Sequence, residues 1–230
     1  MSVNLINSSA INNKDILTIP KKSKSLVLKN QYQITKRTAD VLISLIGLIF
    51  LSPLFIIISI AVKLDSKGPA FFVHKRIGKD GKIINVYKFR TMVDNAEGLI
   101  REFTPEQLKK FNENFKLEDD PRITKIGKFL RKTSLDELPQ LLNILKGDLS
   151  IIGPRPVVSN EIERYGENKE KFLSVTPGLT GYWAANGRSC TTYEERMQME
   201  LYYVDNISLK TDIEIFFKTI ILVLKREGAM

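Results

Sequence analysis

The sequence predicts an α+β fold: a helix-rich domain with a small β-hairpin, a preceding re-entrant membrane helix broken at Ser52-Pro53, and interfacial amphipathic helices. Three observations predict it. Residues 41–62 carry no charge and are almost wholly apolar, with Ser52-Pro53 at their midpoint. Two strand-like runs, Ala70 to Arg76 and Lys82 to Thr91, meet at Gly78-Lys79-Asp80-Gly81, a hairpin signal. Elsewhere apolar residues recur with helical spacing, as in Ile123, Ile126, Phe129 and Leu130.

In chain order, residues 1–35 are rich in Asn, Ser and Lys and read as a flexible basic tail. Residues 36–64 form the membrane element. The apolar run is long enough to cross a ~30 Å hydrocarbon core, so a single span is the default reading. Two details favour a helix that enters and returns to the same face. Proline deletes a backbone hydrogen bond, and Ser52 could satisfy a carbonyl it frees. Both flanks are also basic, Lys29, Lys36 and Arg37 before and Lys63, Lys67, Lys75 and Arg76 after, which gives no orientation for a span.

Residues 65–230 make the remaining domain. In the second hairpin strand, alternation puts Tyr87 and Phe89 on one face and Lys88 and Arg90 on the other. A polar helical stretch over 94–117 is broken at Thr104-Pro105, and a basic helix follows over Arg122 to Lys132. Pro139 is tolerated only in a helix's first turn, so the next helix begins near Leu135 or Asp136. Gly153-Pro154-Arg155-Pro156 stiffens the backbone around one arginine, a rigid mount for meeting an anion or simply a surface turn. The loop 176–188 combines glycines that permit close approach to a ligand, Tyr182 and Trp183 for stacking, and Arg188. The C-terminal segment, with Ile213, Phe216, Phe217, Ile220 and Leu224 before Lys225-Arg226, reads as a headgroup-level helix or a core helix.

The chemistry concentrates at Asp136-Glu137, which follows the cations Arg131 and Lys132. An N-cap is the plain reading of Asp136. The chemical reading is a site for phosphate, a metal ion or a nucleophilic carboxylate at the positive end of a helix dipole. One histidine and one cysteine exclude a multi-histidine metal site and an internal disulfide, so any metal is a hard cation, Mg2+ or Mn2+. The net charge of +9 calls for an anionic partner. Nucleic acid ranks last as that partner, because no binding motif occurs and a membrane segment does not serve it. Neither a GxxxxGK loop nor a GxGxxG fingerprint occurs.

In order, Ser52-Pro53, Lys88-Phe89-Arg90-Thr91-Met92, Ser134-Leu135-Asp136-Glu137-Leu138-Pro139-Gln140, Lys146-Gly147-Asp148, Gly153-Pro154-Arg155-Pro156 and Pro177-Gly178 through Asn186-Gly187-Arg188 resemble the bacterial sugar transferase family, the monotopic phosphoglycosyl transferases. The resemblance covers Lys36 to the C-terminus and is to the minimal form. It implies a transferase at the cytoplasmic face of the bacterial plasma membrane, with 65–230 as the cytosolic catalytic domain. Such enzymes pass a sugar 1-phosphate from a UDP-sugar to undecaprenyl phosphate, releasing UMP, in the first step of capsule, exopolysaccharide or O-antigen assembly. By matching position, Asp136 would be the nucleophile and Glu137, with Asp136, would hold Mg2+. Arg131, Arg155 and Arg188 would bind phosphate or nucleotide, with Lys88 and Arg90 beside them, and Asp212 matches an acidic position of open role. Thr176 and Tyr182-Trp183 depart from the family's usual arginine and Gly-Trp-Ala. A homodimer and downstream glycosyltransferases are the protein partners the resemblance allows. The competing class is a non-catalytic adaptor binding anionic lipids. Galactose or glucose is the expected sugar, ahead of an N-acetylated hexose.

Overall fold

The computed structural model describes residues 24–114, 117, 120–187 and 191–225. The expected tail therefore falls outside the described residues only up to residue 23; from Lys24 the chain is helical. Helix α1 runs over Lys24–Asp65, 42 residues with Pro53 inside. It is the one helix among the described residues long and apolar enough to cross a membrane.

The expected break at Ser52-Pro53 does not interrupt α1. Pro53 has no N–H for the carbonyl of Ile49, four residues earlier, and the Ser52 hydroxyl donates to that carbonyl at 2.8 Å. The orphaned acceptor is satisfied from within, so the helix continues.

One side of α1 is built into the rest of the chain. Leu48 and Leu51 pack on a core of Ile84, Val86, Leu141, Ile144, Leu149, Ile152, Tyr203 and Ile215. Further along, Leu54, Phe55, Ile58 and Val62 join Phe89 and Leu130. Ring contacts of Phe55 and Phe71 with Phe89, at centroid distances of 5.3 and 5.1 Å, tighten this second cluster. The opposite side of α1, including Leu42, Leu45, Ile46, Ile49, Phe50, Ile56, Ile57 and Ile60, is exposed.

Polar groups fasten α1 at intervals. Near its start, Tyr32 and Lys36 bond Asp212 Oδ2 at 2.8 and 2.7 Å. Arg37 donates to the carbonyls of Ile144 and Leu145, at 2.5 and 2.8 Å, and Asp40 Oδ1 accepts the Ile151 N–H at 2.9 Å. At the far end Asp65 Oδ2 accepts the Ile126 N–H at 2.9 Å. The Arg90 guanidinium donates to the carbonyls of Ser66 and Lys67 at 2.8 Å each, to Pro69 at 2.6 Å and to the Ser66 hydroxyl at 2.6 Å. These are carbonyls of the segment that leaves α1, so Arg90 fixes the chain where the helix gives way to β1.

Strands β1 (Phe71–Ile77) and β2 (Ile83–Phe89) form the expected antiparallel hairpin, Phe71 opposite Phe89 and Ile77 opposite Ile83. Its turn places Asp80 and Gly81 at φ 56° and 76°. The predicted interruption at Thr104-Pro105 is present. A 3-10 turn over Gly98–Glu102 precedes α2 (Pro105–Asn114), whose start is a reciprocal cap between Thr104 and Gln107.

Helix α3 (Lys125–Thr133) is capped by the Thr124 hydroxyl and ends at Ser134, which is left-handed with φ 57°. A 3-10 turn over Leu135–Glu137 follows, then α4 (Gln140–Lys146) with Pro139 as its N-cap. The helix expected from Leu135 or Asp136 thus starts later, at Gln140. Two short parallel strands, β3 (Ser150–Ile152) and β4 (Gly178–Thr180), flank α5 (Ser159–Ile162) and α6 (Lys169–Leu173). Helices α7 (Tyr182–Asn186), α8 (Tyr193–Asp205) and α9 (Leu209–Lys225) complete the chain. On α9, Ile215 is buried while Ile213, Phe217, Ile221 and Leu224 are exposed, so it is both a core helix and an apolar outer surface.

Arg90 gives a direct test. Removing its buried guanidinium in Arg90→Ala strands several carbonyls, and is expected to lower unfolding free energy by about 3 kcal/mol, measured by chemical denaturation in detergent micelles.

Candidate active site

Ser134 does for the site what glycine usually does. Its left-handed backbone ends α3 and redirects the chain, and the three residues after it wind into the 3-10 turn carrying Asp136 and Glu137. Leu135 and Leu138, on either side, pack into the cluster that contains Ile58 and Val62 of α1. The two carboxylates are therefore raised from the same apolar layer that holds the membrane-type helix.

Asp136 is 8% exposed. Burial pushes its carboxyl up to about 6; Lys88, Arg131 and Arg155 favour the ionised form, and Glu137 opposes it. Lys88 reaches across from β2, its Nζ 2.7 Å from Glu137 Oε1 and 3.8 Å from Asp136 Oδ2. Arg155 Nη1 stands 3.9 Å from the same Glu137 oxygen. Arg131 projects from the last turn of α3 and donates from Nε to the Thr91 hydroxyl at 2.9 Å. Glu137, Lys88 and Arg155 line one cleft together with Arg76, Gln140 and Pro156.

The Arg155 loop is held where the sequence suggested a rigid mount. Pro154 and Pro156 are buried on either side of a half-buried Arg155. Gly178 N–H donates to the Pro154 carbonyl at 2.8 Å, and Gly153 N–H to the Thr180 carbonyl at 2.9 Å. A Cβ on Gly178 or Gly153 would collide with the facing backbone. These glycines let two strands meet; they do not admit a ligand. Trp183 faces Arg155 at 5.9 Å and Arg196 at 4.8 Å.

The structure thus brings together Asp136, Glu137, Lys88, Arg131 and Arg155. It does not bring Arg90, whose donors are spent on the end of α1, so the expectation of Arg90 as a substrate group is corrected. The reason is local. β2 ends at Phe89, and beyond it the strand alternation that paired Arg90 with Lys88 no longer applies. Asp212 lies apart from the cleft, accepting from Tyr32, Lys36 and Tyr203 at 2.7–2.8 Å, and joins α9 to the start of α1. Arg188 lies outside the described residues.

Sequence reasoning missed Arg76, Gln140 and Glu200. Arg76 shares a hairpin face with His74 and Lys88, a relation the turn at 78–81 already fixes once the register is counted. Glu200 on α8 is fully buried, its Oε1 accepting the Arg155 N–H at 3.0 Å. Burial pushes its carboxyl up to about 7, against that hydrogen bond and the charges of Arg196 and Arg155. Nothing in a helical sequence context marks it.

As a metal centre the site offers two adjacent carboxylates, and no group of three candidate ligands occurs among the described residues. That suits Mg2+, which takes one or two carboxylates and fills its remaining positions with water and phosphate oxygens. The Lys88 ammonium lies between the two carboxylates.

The bacterial sugar transferase family matches residues 31–226. The chain is 48% identical over 200 residues to an uncharacterized sugar transferase of Haemophilus influenzae, covering 86% of this chain and 42% of that one. It is 46% identical over 204 residues to the undecaprenyl-phosphate galactose phosphotransferase of Salmonella typhimurium, covering 87% and 43%. To the exopolysaccharide production protein ExoY of Sinorhizobium fredii it is 46% identical over 199 residues, covering 85% and 88%. The chain thus spans less than half the length of the first two relatives and most of the third.

Lys88 favours ionised Asp136, so removing its charge moves the titration upward. In Lys88→Met without divalent cation, the Asp136 carboxyl is expected to titrate above 6, read by carbon NMR of labelled aspartate.

Proposed function

We propose that this chain, which belongs to the bacterial sugar transferase family, transfers a sugar 1-phosphate from a UDP-sugar to undecaprenyl phosphate at the cytoplasmic face of the plasma membrane. The product lipid would initiate assembly of a capsule or exopolysaccharide. The observation that carries this reading is Asp136: a buried carboxyl among Lys88, Arg131 and Arg155, on a turn rooted in the apolar layer of α1. A nucleophile for a lipid-bound phosphate has to be both cation-flanked and close to the membrane. The lipid carrier and galactose are in the name of the Salmonella relative, and galactose is the sugar we propose.

In the first displacement an Asp136 carboxylate oxygen attacks the phosphorus bonded to the sugar. A phosphorus–oxygen bond forms, the bond to the bridging oxygen breaks, and UMP leaves with that electron pair. In the second, an undecaprenyl phosphate oxygen attacks the same phosphorus and expels the Asp136 carboxylate, giving the lipid diphosphosugar. Two steps let two bulky anions use one cleft in turn. Lys88 and Arg155 neutralise the diphosphate, and Arg131 stabilises charge beside Asp136. Mg2+, when held by Glu137 with Asp136 and diphosphate oxygens, supplies further neutralisation of the transferred phosphoryl group.

The re-entrant topology belongs to this reading. Contacts from Tyr32 and Arg37 to Asp65 all run to one domain, while the exposed apolar side of α1 faces away from it. A perpendicular span would place either Arg37 and Asp40 or Asp65 and Arg90 across the bilayer from their partners. A helix tilted into one leaflet does not. Pro53 lies between the two anchored ends.

Two measurements test the proposal. With radiolabelled UDP-galactose, Mg2+ and undecaprenyl phosphate, the wild-type chain is expected to release UMP, and Asp136→Asn to reduce release to background; UMP at the wild-type rate from Asp136→Asn refutes the aspartyl step. With single cysteines at positions 34 and 64 in a Cys190→Ser background, a membrane-impermeant maleimide is expected to label both from the cytoplasmic side, and labelling from opposite sides refutes the re-entrant helix.

A further inference from the structure

A carboxyl group that the proposed transfer leaves unused is buried directly beneath the Arg155 loop. Glu200 is 1% exposed, and its Oε1 accepts the Arg155 N–H at 3.0 Å. Prolines at 154 and 156 have no N–H, so Arg155 supplies the only backbone donor in the Pro-Arg-Pro tripeptide. Its neighbours are held from other directions: the Pro154 carbonyl by Gly178 N–H at 2.8 Å, the Pro156 carbonyl by Arg76 Nη1 at 3.4 Å, and the Val157 carbonyl by Ile77 N–H at 2.8 Å. Glu200 thus closes a ring of bonds that fixes the backbone from which the Arg155 guanidinium projects toward Glu137.

The second oxygen of Glu200, Oε2, is buried without a hydrogen-bond partner, as are Nε and Nη2 of Arg196 on the same helix. A carboxyl in such a place is costly to bury, and a hydrocarbon side chain would pack there at less cost. The feature that a hydrocarbon cannot reproduce is the acceptor for Arg155.

On the transfer reading above, we infer that Glu200 is a positioning residue: its Oε1 fixes the Arg155 backbone so that the guanidinium meets the donor diphosphate beside Glu137. It touches neither substrate nor reacting atoms. Its effect runs through the placement of one cation, where a shift of about 1 Å is enough to cost a hundredfold in rate.

The test compares Glu200→Gln, which keeps an acceptor oxygen, with Glu200→Met, which has none, in the full chain in detergent with UDP-galactose, Mg2+ and undecaprenyl phosphate. Glu200→Met is expected to lower kcat about thirtyfold with KM for UDP-galactose changed less than about threefold, and Glu200→Gln to stay within about threefold of wild type in both. In an Arg155→Ala background, Glu200→Met is expected to add less than about twofold, because the residue it positions is gone. Equal loss in the Gln and Met variants, wild-type kcat in the Met variant, or a further tenfold loss on top of Arg155→Ala each overturns the inference alone. If the Met variant does not fold, the Gln variant and amide exchange decide. The Arg155 N–H is expected to exchange as slowly as those of Ser150–Ile152, and exchange at the rate of an exposed loop overturns the inference. Absence of UMP from the wild-type chain overturns the transfer reading, and the inference with it.

Discussion

The structure depends on the division of α1 into a side that belongs to the domain core and a side that does not. Leu48, Leu51, Leu54, Phe55, Ile58 and Val62 are core residues in the ordinary sense, packed against Ile144, Tyr203, Phe89 and Leu130. The domain cannot drift away from the membrane-type helix, because removing that helix would remove part of both apolar clusters. Leu135 and Leu138 belong to the same layer, so Asp136 has a fixed height above the exposed side of α1. Distance from the membrane is set by packing.

Within that frame, the basic residues fall into two groups by what surrounds them. Arg37 meets carbonyls in the last turn of α4, Arg90 those of the segment just after α1, and Arg122 pairs with Asp120 between the rings of Phe103 and Phe111. Their charges are consumed by the fold. Lys88, Arg131 and Arg155 surround Asp136 and Glu137 instead, more positive charge than the two carboxylates offset. An excess of this kind is unfavourable in the protein alone and favourable once an anion enters.

Much of this was legible in the sequence, and the failures have physical causes. The hairpin could be read because Gly78-Lys79-Asp80-Gly81 supplies backbone angles that the turn requires. Asp136, Glu137, Lys88, Arg131 and Arg155 were found by pattern, and the fold gathers them. Arg90 was placed at the site by the family resemblance, on the strand face it was expected to share with Lys88, and the fold spends its donors on residues 66–69. Pro53 was read as a break even though Ser52 was seen as able to satisfy a freed carbonyl; the sequence does not show that this one bond lets the helix continue. Gly178 was read as space for a ligand, although the occupant is the opposite strand. That parallel pairing is only three residues on each side, too short for periodicity to register. Glu200 gave no signal, since a buried carboxyl and an exposed one look alike on a helix.

Where the chain tolerates unfavourable features is itself informative. Asp40, Arg90 and Asp212 are buried charges, and each is met by well-placed partners. Some departures lack full compensation, Asp80 in the hairpin turn and the buried Ser150 and Tyr165 hydroxyls among them, and three stand at the cleft. Ser134 holds a left-handed backbone without being glycine, Asp136 keeps a carboxyl in surroundings that resist its ionisation, and Glu200 keeps an oxygen buried with no hydrogen bond. Each would cost about 1–3 kcal/mol on its own. All three bear on one cleft: Ser134 sets the turn that carries Asp136, and Glu200 holds the loop that carries Arg155. A fold selected for stability alone would place glycine, a smaller polar group and a hydrocarbon at these positions. Those three side chains stand beside Asp136 and Arg155, as expected of a cleft built for chemistry rather than for stability alone.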